Sequence, residues 1–159
     1  METIMNNTTS TPDREIVETR IFNAPRKLVF KVWTEAEHIA KWWGPDGFTN
    51  TIHTMDVRPG GIWNLTMHGP DGTDYINKMV YTKIINQELI VYKHDATLEN
   101  EAGQFETTVS FEEQGNKTKL TMRMVFNSKA ERDLVAEKYG AVEGLSQNLR
   151  RLNEYLSKI

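Results

Sequence analysis

Apolar residues recur at two different periods along this chain, and the change of period divides it into elements. Toward the C-terminus Leu145, Leu149, Leu152, Leu156 and Ile159 follow one another at steps of four, three, four and three. That spacing lays one apolar stripe along an α-helix, with Arg150, Arg151, Glu154 and Lys158 falling away from it on the solvent side. Projected backwards, the stripe takes in Leu134, Lys138, Ala141 and Val142. One helix is therefore predicted from Ser128 to Ile159, roughly 30 residues and ~45 Å long. Ser128 and Glu131 stand at a capping-box spacing that marks its start. Gly140 and Gly144 interrupt it, each costing about 1 kcal/mol relative to alanine. They predict a kink, or a place where something comes close to the backbone.

Elsewhere the period is two. Phe105, Thr107, Val109 and Phe111 oppose Glu106, Thr108, Ser110 and Glu112; Leu120, Met122, Met124 and Phe126 oppose Lys119, Thr121 and Arg123. Each run has one dry and one wet face, as in an antiparallel sheet covered on one side. Turn sequences at Pro59-Gly60-Gly61, Gly69-Pro70-Asp71-Gly72, Asn86-Gln87-Glu88, Asn100 to Gly103 and Gly115-Asn116 cut residues 48–126 into about six strands. Arg14 to Asn23 reads as a further strand at the start. Pro25 and a face of Leu28, Val29, Val32 and Trp33 predict a short helix after it. Thr34 and Glu37 suggest a capped second one, ended by Gly44-Pro45. The order is strand, two short helices, about six strands, one long helix: an α+β arrangement in which a curved antiparallel sheet wraps a single helix.

Length and charge narrow the class. The 159 residues predict one domain, residues 14–159, preceded by a disordered polar arm at 1–13. A formal net charge of −3 argues against a nucleic-acid partner. The chain has no cysteine, so thiolate metal sites and disulfides are excluded. No apolar run approaches the ~18 residues of a membrane span. The N-terminus lacks the pattern of a signal peptide, and a cytoplasmic location is expected.

The runs FNAPRKLVFKVWT, KWWGPDGFT, DVRPGG and HGPDG, with GAVEGLSQNLRRLNEYL at the end, closely resemble bacterial homologues of the heat-shock-ATPase-activator family, within the START-like (SRPBCC) superfamily. The resemblance spans about Arg14 to Leu156. It implies a helix-grip fold: a seven-stranded sheet gripping the C-terminal helix around an apolar cavity. Relatives in the superfamily bind lipids, polyketides, hormones or other apolar molecules, and some catalyse cyclisation or hydrolysis. The eukaryotic founding member activates a chaperone ATPase with the help of an additional N-terminal domain.

Candidate chemistry is sparse. The histidines at 38, 53, 68 and 94 include no i, i+4 pair, and no nucleophile elbow, P-loop or dinucleotide fingerprint occurs. No catalytic residue, metal or cofactor is therefore assigned. The four tryptophans either plug the open end of the sheet or wall a pocket; Trp42 and Trp63 are the chosen wall, since Trp63 shares a face with Leu65 and Met67. Met67, Met79, Met122 and Met124 supply an adaptable apolar lining, or simply core. Phe105, Thr107 and Leu145 complete the candidate ligand-binding set from the dry strand face and the helix stripe. Lys138 sets a cation on that stripe, either snorkelling at a cavity mouth or meeting an acidic or carbonyl-bearing ligand. The expected function is binding of a small, mostly apolar molecule between sheet and C-terminal helix. The alternatives are a cofactor-free cyclase or hydrolase using the same cavity, and a chaperone-ATPase regulator acting through its surface. An exposed sheet edge offers a route to a homodimer.

Overall fold

Alternation of apolar and polar residues builds one antiparallel sheet among the residues described by the structure, a computed structural model covering residues 12–94, 105–138 and 140–159. After a short 3-10 turn at Pro12–Arg14 come β1 (Glu15–Phe22), α1 (Arg26–Thr34) and α2 (Ala36–Trp42). Six strands follow: β2 (Thr49–Met55), β3 (Ile62–His68), β4 (Asp74–Ile85), β5 (Leu89–His94), β6 (Phe105–Gln114) and β7 (Lys117–Phe126). The chain closes with α3 (Lys129–Lys138) and α4 (Ala141–Leu156). Strand order is β1-β7-β6-β5-β4-β3-β2, so β2 to β7 form a meander and β1 returns to pair with β7, Ile16 opposite Met124. A seven-stranded curved sheet gripping a C-terminal helix, with two short helices after the first strand, is the helix-grip fold.

The dry faces are those that the alternation marks. Thr107, Val109, Phe111, Leu120, Met122 and Phe126 are buried, and Leu149 and Leu152 on α4 are 0% exposed against the same core. The prediction of a single C-terminal helix needs correction. Gly140 takes up a left-handed conformation (φ +61°) as the N-cap of α4, and the helix is in two pieces. A residue with a β-carbon pays to adopt that conformation, which is why glycine stands at the break. The break also resets the helical phase. Leu134 and Val142, projected onto the stripe, are exposed, and Val135 is buried in their place. Ile159 lies past the helix end and is 54% exposed.

Capping follows the sequence at one end and departs from it at another. Ser128 Oγ accepts the Glu131 N–H at 3.1 Å and lies 3.4 Å from Glu131 Oε2. The capping box expected at Thr34–Glu37 is absent: Thr34 is the last residue of α1 and its hydroxyl donates back to the Phe30 carbonyl at 2.9 Å. Glu35 is the N-cap of α2 instead, with no side-chain cap. In the turn before β3, a β-carbon added to Gly61 would sit 1.9 Å from the Asp56 carbonyl oxygen, so only glycine fits there. No helix among the described residues is long and apolar enough to cross a membrane.

Candidate functional site

A cavity of about 260 Å³ opens between the dry face of the sheet and the start of α4. From the sheet it is lined by Met67, Asn77, Met79, Tyr92, His94, Phe105, Thr107, Met122 and Met124, and from α4 by Gly140, Ala141, Gly144, Leu145 and Asn148. The loop after α2 closes the remaining side with Trp43, Gly44 and Pro45. Of the residues singled out in the sequence, Met67, Met79, Phe105, Thr107, Met122, Met124 and Leu145 come together here. Trp42 and Trp63 do not. Both are core residues, 0% and 1% exposed, and the wall is formed by Trp43, stacked edge-on against Trp63 at 4.9 Å. Ile39 and Trp42, three residues apart on α2, both face the core, where Trp42 Nε1–H donates to the Val32 carbonyl at 3.2 Å, and Trp43, the extended C-cap residue, lies on the cavity. Lys138 ends α3, and its side chain lies outside the described residues.

The loop bearing Trp43 is held by α4, in part through Arg150 and Arg151, which the helical pattern set on the solvent side. Arg151 Nη1 donates to the carbonyls of Trp43, Gly44 and Pro45 at 3.0, 2.9 and 2.8 Å, and its Nη2 donates to that of Phe48 at 3.0 Å. Asn148 Oδ1 accepts the Gly44 N–H at 3.1 Å, and Gln147 Oε1 accepts that of Asp46 at 3.1 Å. Arg150 pairs with Asp46 and with Glu154. The motifs KWWGPDGFT and GLSQNLRR are thus two halves of one wall. Arg20 Nη2 donates to Ser146 Oγ at 2.8 Å and ties β1 to the same helix.

The lining is polar in places yet uncharged. Among the described lining residues none is Asp, Glu, Lys or Arg. Burial holds the His94 imidazole down to about 4, so it is neutral at pH 7. Burial also pushes the Tyr92 hydroxyl well above its ordinary value, against the opposing effect of its hydrogen bond with Thr107. His94 packs on Phe105 with ring centroids 4.2 Å apart. A second, larger groove of about 360 Å³ includes Arg14, Lys93, Glu106 and Arg123. Its charges are answered locally, Arg123 by Glu15 at 2.7 Å and Lys93 by Glu106 at 4.0 Å, and its apolar lining is limited to Phe105, Val125 and Phe126. Among the described residues no group of three or more His, Asp or Glu is placed to hold a metal ion.

The family described as "Activator of Hsp90 ATPase homolog 1-like protein" matches residues 23–157. No curated protein matches the chain. Among solved structures, a protein from Arthrobacter aurescens is 25% identical, superposes with a TM-score of 0.86, and is aligned over 92% of this chain and 88% of its own. One from Nitrosomonas europaea is 20% identical, with a TM-score of 0.82 over 92% and 96% of the two chains. The AHSA1 protein from Silicibacter pomeroyi is 18% identical, with a TM-score of 0.73 over 90% and 97%. These likenesses show the fold.

Proposed function

Since the chain belongs to the family of activator of Hsp90 ATPase homolog 1-like proteins, a family whose fold grips a cavity, we propose that it binds a small, mostly apolar molecule in the space between sheet and α4. The observation that carries this reading is the lining itself. Four methionines, three aromatic side chains and a leucine line an open space of about 260 Å³, just below the ~300 Å³ at which ligand pockets usually begin. Thioethers are flexible and polarizable, so such a wall adapts to guests of different outline. The volume suits a molecule of one or two rings.

The test is a titration of one- and two-ring apolar compounds, read by thermal shift and by tryptophan fluorescence, in which Trp43 is the ring on the cavity. A guest at a hundredfold over its Kd adds about 2.7 kcal/mol of stability. Gly144→Leu provides the control. A β-carbon at Gly144 has only Pro45 Cγ within reach, at 3.8 Å, so the larger side chain grows into the cavity. Both responses are expected in the wild type and neither in the variant. A library without any shift would remove the reading and favour a regulator acting through its surface.

A further inference from the structure

Asn148 is an amide at a position on α4 where the stripe calls for an apolar residue, and neither of its two N–H donors is used among the described residues. It is 6% exposed and lines the cavity. The Gly44 N–H can only donate, so the amide oxygen is the atom that faces it, at 3.1 Å. The amide nitrogen is thereby left on the other side of the group, and its two N–H donors have no partner among the described residues. Asn148 Nδ2 is not among the fully buried polar atoms that lack a partner, so its donors are reachable from the cavity and can meet an acceptor placed there. We propose that Asn148 Nδ2 donates to a carbonyl oxygen of the ligand, which makes the cavity selective for uncharged ketones, esters or amides over hydrocarbons and over carboxylates. This inference rests on the cavity-binding reading above.

Two observations direct it to a neutral acceptor. No charged side chain among the described lining residues offers a counter-ion, and burial keeps His94 uncharged. A carboxylate entering here loses its hydration and gains no cation in return. Arg151 does not supply one, because its guanidinium is engaged by four backbone carbonyls of the loop. Asn77 donates one of its two amide N–H groups to the Tyr75 carbonyl at 3.3 Å, whereas neither of those of Asn148 has a partner among the described residues.

Three bicyclic probes of nearly one shape test it by calorimetry at pH 7: 2-acetonaphthone, 2-isopropenylnaphthalene with a methylene in place of the carbonyl oxygen, and 2-naphthoate. The ketone is expected to bind about tenfold more tightly than the hydrocarbon, and the acid about tenfold or more weakly than the ketone. Asn148→Asp keeps an oxygen for the Gly44 N–H and loses both amide donors. In it, the ketone should lose its advantage and bind no more tightly than the hydrocarbon does to the same variant. Asn148→Leu serves the same comparison if the aspartate does not fold. Equal binding of ketone and hydrocarbon by the wild type would overturn the role of Asn148 and leave the cavity reading standing. Tighter binding of 2-naphthoate than of the ketone would overturn the preference for uncharged ligands. Failure of all three probes to bind would remove the cavity reading, and this inference with it.

Discussion

Arg151 donates to four backbone carbonyls of a single loop, a use of one side chain that depends on the planar fork of the guanidinium. Desolvation beside that loop lowers its pKa, yet it remains a cation at any working pH. Arg151→Ala is expected to cost about 2–3 kcal/mol, read by urea unfolding, because the carbonyls of residues 43–45 and 48 lose a charged donor. Arg151→Lys should recover only part of this, since an ammonium cannot span all four acceptors. A loss within about half a kcal/mol for alanine would mean the loop holds itself. None of this was legible in the helical pattern, which records only that Arg151 is off the apolar stripe. Asn148 escaped for the opposite reason, because a polar residue on an apolar stripe gives no signal until its partners are known. The methionines and Leu145 were legible as members of dry faces, whereas the choice between Trp42 and Trp43 needed the exact phase of α2.

At the scale of elements, the two glycines of the C-terminal segment have opposite uses although they share one sequence signature. Gly140 holds a left-handed conformation at the head of α4, and Gly144 is an ordinary helical residue with open space toward the cavity. Gly140→Ala is therefore expected to destabilise by about 1–2 kcal/mol. Gly144→Ala should stabilise by about 0.5–1 kcal/mol through helix propensity and a less flexible unfolded chain. Thermal or denaturant melts of the two variants check the signs. Equal signs would show that the break between α3 and α4 is not set at Gly140. The strands were the easiest elements to read, because alternation and turn residues fix both their limits and their faces. The helix break was harder. A glycine's cost is visible in sequence, but whether it marks a kink or a full interruption depends on the φ that the packing imposes.

For the whole molecule, the buried imidazole of His94 makes stability depend on pH. Its folded value of about 4 lies below the unfolded 6.5, so the unfolded chain takes up the proton first as pH falls. The stabilising contribution is complete above about 6.5 and is lost progressively toward about 4, by at most about 1.4 kcal/mol per pH unit. Melts of wild type and His94→Asn between pH 7 and 4.5 should show a shallower decline in the variant; parallel declines would assign the pH dependence to other groups. The sequence placed His94 on a strand without revealing its burial, because the faces of the central strands carry no clean alternation. The overall order of elements was legible, and with it the wrapping of a sheet around a helix. What that order implies for the growing polypeptide lies in the pairing of β1 with β7. Glu15 and Arg123, joined across those strands, are 108 residues apart. Each of β2 to β7 has a neighbour in the chain waiting beside it, joined by a turn or a short connection. Among the seven strands β1 is thus made first yet has its sheet partner only once β7 has been made, and that edge of the sheet stays unpaired in between.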